Sequence, residues 1–230
     1  MSEEILKALT QLFAIITKQD GGVTENERQF VIRFFQQELD HASVNEYIAL
    51  YDDYSGYKKE GLEEGGKNKL TSVKDSVKSL GICRKINKTL TQKQKVIVLI
   101  KLIELVGSDN NFTAQRMEII NTVSTVFNIS QEDYKVIEAF VVAQDIESLN
   151  FTNIFVANVG ESSSAPNQKH QHLHLEGNLV FLELPSVSMY FAKYLGQQST
   201  ILNGFIMQAG RVYLYSHGSM IKTQPGDVLY

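Results

Sequence analysis

Carboxylates recur at two tight turns of this chain. Asp20 stands ahead of Gly21-Gly22-Val23, with Glu25 and Glu27 just beyond Thr24; Asp109 stands ahead of Asn110-Asn111-Phe112, with Thr113 following. Oxygen ligands gathered from two such turns are what a hard cation such as Ca²⁺ or Mg²⁺ accepts, which makes Asp20, Glu27 and Asp109 the candidate metal ligands. The same acids have a plainer use. Carboxylates in a first helical turn are stabilised by the amide dipoles by about 0.3–1 kcal/mol each, and Thr24 with Glu27 reads as a capping box. Arg116 occupies the place of Glu27 in the second turn. A guanidinium there would repel a cation and could pair with Asp109 instead. The spacing also fails the EF-hand pattern, which needs alternating oxygen ligands ahead of its glycine.

Two further groups of residues could do chemistry. His170, His172 and His174 alternate ahead of Glu176, so a strand would place three imidazoles on one face, the kind of donor set zinc accepts. Taken as His170, His172 and Glu176, with Pro225-Gly226-Asp227 far downstream, they are similar to a cupin-like metal site that lacks its glycine spacing; a polar edge strand or solvated face is the preferred reading, because nothing else in the sequence fixes a further ligand. Cys83 lies in a helix-rich stretch where a small buried hydrophobe is the common role. No Gly-rich loop ends in Gly-Lys-Ser or Gly-Lys-Thr, and no Gly-x-Ser-x-Gly elbow is present. The sequence predicts no enzyme.

The elements that must position these residues fall into two regions, which predicts an α+β protein. From Ser2 to about Asp145 apolar residues recur at helical spacing, as in Ile5, Leu9, Leu12, Ile16 and in Val96, Leu99, Ile103. About seven helices are expected. Candidate capping boxes mark their starts: Thr24 to Glu27, Ser43 to Glu46, Thr91 to Gln94 and Ser130 to Asp133. The order of apolar helix, turn, Thr and second helix is written twice, once around Asp20 and once around Asp109, which argues for an internal duplication. Between the copies, Ser55 to Lys69 is rich in Gly, Lys and Glu and reads as a mobile loop, flanked by Tyr54 and Tyr57, which either pack back or meet a partner.

After Leu149 the period changes to two, with Phe151–Val156, Leu179–Leu184, Met189–Tyr194, Ile201–Met207 and Val212–Tyr215 reading as strands. Turn signals fall at Glu176-Gly177-Asn178, Asn203-Gly204 and Ala209-Gly210. The boundaries predicted are residues 1–147 for a helical domain and 148–230 for an antiparallel β module. Pro225-Gly226-Asp227-Val228-Leu229 reads as a strand beginning, so the β module is expected to continue past Tyr230.

The 230 residues are 43% hydrophobic, enough for a core. A net charge of -4 gives no electrostatic footprint for nucleic acid or anionic lipid. One cysteine, a non-basic N-terminus and no long apolar run lead to a cytoplasmic expectation without direct membrane insertion.

The helix ending in Asp20-Gly21, with Glu27 seven residues after the Asp, resembles the TerB-like domain of bacterial tellurite resistance over about residues 3–145. The resemblance implies an all-α pseudo-repeat whose acidic cluster is linked to divalent cations; Asp20, Glu27 and Asp109 match that motif, and Arg116 departs from it. Joined to a β module with Ser186-Val187-Ser188-Met189-Tyr190-Phe191, Leu202-Asn203-Gly204 and Gly210-Arg211-Val212-Tyr213, it looks like the start of a bacterial ABC transporter family. That implies a non-catalytic regulatory or interaction region whose partners, an ATP-binding cassette and a membrane segment, follow on the same polypeptide. The alternatives are a free-standing divalent-metal-binding stress protein and a cupin-like metal-binding protein.

Overall fold

The computed structural model describes residues 3–18, 22–57, 72–108, 112–160 and 169–230. Seven helices come first: α1 (Glu3–Thr17), α2 (Glu25–Glu38), α3 (His41–Ser55), α4 (Ser72–Thr89), α5 (Gln92–Gly107), α6 (Ala114–Val126) and α7 (Gln131–Val142). Nine strands follow: β1 (Ile154–Asn158), β2 (Lys169–His172), β3 (Asn178–Leu184), β4 (Met189–Leu195), β5 (Ile201–Leu202), β6 (Phe205–Ile206), β7 (Val212–Tyr215), β8 (Ile221–Lys222) and β9 (Val228–Leu229). The α+β reading holds.

Capping chemistry sets most helix starts. Thr24 and Thr91 each accept the N3 amide while Glu27 and Gln94 reach back to the cap amide, as the sequence predicts. The third helix differs. It begins at Asp40, whose carboxylate accepts from the Ala42 and Ser43 amides at 3.0 Å each, so Ser43 sits inside the first turn. An ionised carboxylate at the cap outcompetes the serine three residues on. That helix runs through Ser55 and closes on Gly56 at φ 73°, and residues 58–71, most of the expected mobile loop, lie outside the described residues. Tyr54 and Tyr57 both pack back: Gln11 donates to the Tyr54 hydroxyl at 2.8 Å, and Tyr57 donates to Glu25 at 3.0 Å.

The chain divides into two compact units, Met1–Ser130 and Gln131–Tyr230. In the first, α5 is the central helix, packed by α1, α2 and α6. Its Val98, Leu99, Ile100, Leu102, Ile103, Leu105 and Val106 are all buried, because a helix enclosed by neighbours has no solvent face to keep polar. Lys101 and Glu104, which interrupt the apolar run, pair at 2.7 Å. No helix among the described residues is long and apolar enough to cross a membrane.

In the second unit α7 joins the strands, whereas periodicity groups it with the preceding helices. A five-stranded sheet runs in the order β2-β1-β3-β4-β7, antiparallel except for the parallel pair β1–β2, and a four-stranded sheet runs β6-β5-β8-β9. The core between them collects Leu179, Phe181 and Tyr194 from the large sheet and Leu202, Met207 and Ile221 from the small one. Asn203-Gly204 turns β5 into β6 with φ of 51° and 88°, as the sequence signal requires. Gly177, at φ 82°, leads into β3, and an added Cβ would lie 2.2 Å from the Leu195 carbonyl oxygen. Gly177→Ala therefore combines left-handed strain with a backbone clash, and urea unfolding is expected to show a loss of at least about 2 kcal/mol.

Candidate functional site

Of the three candidate ligands, Asp20 and Asp109 lie outside the described residues. Glu27 does not, and its surroundings are specific. It is the third residue of α2 and fully buried. Its Oε2 accepts from the Thr24 amide at 2.8 Å and from the Thr24 hydroxyl at 3.1 Å, closing the capping box. Its Oε1 faces Nη1 of Arg116 at 2.8 Å, and the two side chains are 0% and 1% exposed. Arg116 holds the equivalent third position of α6, where Thr113 accepts its amide at 3.3 Å. The two copies of the turn thus meet through their matching residues, an acid from one and a base from the other.

This arrangement solves a problem in each copy. A cation in the first turn of a helix opposes the amide dipoles, so Arg116 is unfavourably placed on α6 alone. Glu27 supplies the missing negative charge, and Arg116 supplies the counter-charge that an acid buried in a helical bundle needs. Among the described residues Glu27 pairs with Arg116; Asp109, the partner the sequence offered, lies outside them. The guanidinium faces the Oε1 of Glu27 that a cation bound by this carboxylate would need.

Glu25, the other described acid of the first turn, is engaged at the surface. Glu25 accepts from Tyr57 and from Gln29, and the Tyr57 ring lies 4.7 Å under the Arg28 guanidinium. Arg28 in turn holds Asp52 with two bonds, at 2.9 and 2.8 Å, which ties α2 to α3.

The histidine run does not converge. His170 Nε2 lies 2.6 Å from Asn158 Oδ1, while the His172 and His174 rings meet edge to face at 5.0 Å. His174 donates its amide to Asp227 at 2.8 Å, and its Nδ1 lies 3.1 Å from the same oxygen. That amide hydrogen bond holds the Asp227 carboxyl below its ordinary range. The Pro225-Gly226-Asp227 turn, remote in sequence, is therefore brought to the histidines. Glu176 is exposed, and its backbone amide donates to Gln198. Among the described residues no group of three or more His, Cys, Asp or Glu is disposed to hold a metal.

Cys83 is 1% exposed, and burial pushes its thiol up to about 12. With so little thiolate at neutral pH it is expected to react with iodoacetamide at least about 100-fold more slowly in the folded chain than in urea. Equal rates would show that the site opens readily.

Two features escape sequence reading. Lys193, in the middle of β4, is 1% exposed, and its Nζ donates to the carbonyls of Phe140, Val141 and Ala143 at 3.2, 2.7 and 2.6 Å. A buried ammonium therefore closes the C-terminus of α7, where the helix dipole favours positive charge. On the opposite face of the large sheet, a concavity of about 290 Å³ is floored by Phe155, Phe181 and Tyr215 and bordered by Tyr190 and Glu183, which share a 3.1 Å hydrogen bond. Its size lies at the lower end for small-molecule sites.

A helical unit built from a duplicated helix-turn-helix, with its copies joined at matching positions of their second helices, defines an all-α pseudo-repeat protein carrying an added β unit. Residues 6–139 match the family model described as tellurite resistance protein TerB, and the chain belongs to that family. No curated protein and no solved structure matches the chain.

Proposed function

We propose that this chain is a non-catalytic regulatory or interaction region of an ABC transporter, working on the cytoplasmic side, with the helical unit receiving a signal or partner and the β unit docking onto an ATP-binding cassette of the same polypeptide. The observation that carries the reading is the union of a TerB-family helical unit with a β unit whose motifs occupy defined places. Ser186–Phe191 leads through a 3-10 turn at Pro185–Val187 into β4, Leu202-Asn203-Gly204 forms the β5 turn, and Gly210–Tyr213 enters β7. The region supplies shape and surface, and nucleotide chemistry would belong to the cassette.

The competing reading, a free-standing stress protein holding Ca²⁺ or Mg²⁺ on Asp20, Glu27 and Asp109, requires Glu27 to exchange Arg116 for the ion. The 2.8 Å pair, fully excluded from water, weighs against that exchange. Reading the gene beyond the Tyr230 codon tests the proposal. A reading frame that continues into membrane spans and a loop ending in Gly-Lys-Ser or Gly-Lys-Thr is expected; a stop codon there contradicts it.

A further inference from the structure

The outer face of the small sheet carries apolar side chains where water ordinarily selects polar ones. Residues paired across an antiparallel ladder share a face. Leu202 pairs with Ile221 and Ile221 with Leu229, and this row turns inward to the core. The alternate row, Ile206, Ile201, Lys222 and Val228, therefore points outward. Ile206 is 68% exposed and Val228 39%. An antiparallel sheet solvated on one side normally alternates apolar inward with polar outward. Three aliphatic residues around one ammonium break that rule, and contiguous exposed apolar surface marks an interaction site.

We propose that this outer face is a protein-docking surface and that its partner presents an apolar patch centred on a carboxylate that pairs with Lys222. Charge complementarity selects this occupant over two others. A second copy placed across a two-fold axis would bring Lys222 against its own image. An anionic membrane rewards clusters of basic residues, whereas the row holds a single cation in a chain of net charge -4. The inference rests on the reading above that the β unit docks, and it specifies where and onto what.

Zero-length carbodiimide coupling in the full-length polypeptide, followed by mass spectrometry, reads the contact directly. Lys222 is expected to couple to an Asp or Glu of another domain or protein. The yield should fall at least tenfold in Ile206→Asp, a change at an exposed position that leaves the circular dichroism unaltered. Lys222 coupling to no carboxylate overturns the proposal. So does an oligomer of the purified chain that Ile206→Asp disperses, or binding to phosphatidylserine vesicles that the same change abolishes. A Lys222 crosslink to a separate protein, in a gene without a cassette, keeps the docking face and removes the transporter reading. A cassette without any Lys222 crosslink does the reverse.

Discussion

Arg116→Met is expected to lower the free energy of unfolding by about 3–5 kcal/mol, the largest effect of any single change in the helical unit. The cost comes from Glu27 more than from Arg116. Removing the guanidinium takes the 2.8 Å counter-charge from a carboxylate with no exposed surface, although its second oxygen keeps the Thr24 bonds. Glu27→Gln takes the facing carboxylate away from the buried arginine but preserves an oxygen for the capping box, so a smaller loss is expected. The double variant, Arg116→Met with Glu27→Gln, removes both charges of the pair. It should be more stable than the sum of the single changes implies by about 2–3 kcal/mol, read as the coupling energy of a urea-unfolding cycle. Additivity within about 0.5 kcal/mol would show that the two groups do not act as a pair.

Lys193→Met is the second large effect. The apolar stem is replaced nearly in volume, so packing changes little, but three carbonyls at the end of α7 lose their shared donor. Buried acceptors left without a partner cost about 1–3 kcal/mol each, and some of that is recovered by relaxation of the helix end, which gives a net loss of about 3 kcal/mol or more. The location of the damage is as informative as its size. Amide exchange should accelerate in α7 and along β4, with little change in α1 to α6. Uniform acceleration across both units would argue that Lys193 supports more than the helix end it touches.

Much of the architecture is legible in the residues, and the gaps have physical causes. The helices announce themselves through three- and four-residue periodicity over long stretches, and Thr24, Thr91 and Thr113 mark three starts because their hydroxyls have one good use there. Asp40 is missed because Ser43 and Glu46 supply an equally good cap pattern three residues later; only the competition between the two caps decides. The longer strands follow their alternation, with Val212–Tyr215 matching residue for residue. The two-residue β8 is too short to show any period. Lys193 reads as a solvated strand residue, since nothing local reveals that the carbonyls it serves lie about fifty positions earlier.

The candidate site is half legible. The duplicated turn and the oddity of Arg116 are plain in the sequence; proximity along the chain points to Asp109, which lies outside the described residues, and leaves the Glu27 pair unread. A signal for that pair was present. Glu27 and Arg116 each stand three residues after the capping threonine of their copy, and equivalent positions near a pseudo-two-fold axis approach one another. Opposite charge at such positions predicts a pair across the repeat.

The central claim is that Glu27 joins the two repeats through Arg116, and the prediction that follows is that this carboxylate does not exchange the guanidinium for a divalent cation. Urea unfolding of the chain with and without millimolar Ca²⁺ or Mg²⁺ tests it most directly, because any ion bound only by the folded state must raise the midpoint, by about 2.7 kcal/mol at one hundred times the dissociation constant. The account predicts superimposable curves. A rise in the midpoint with either ion, reversed by a chelator, would contradict it.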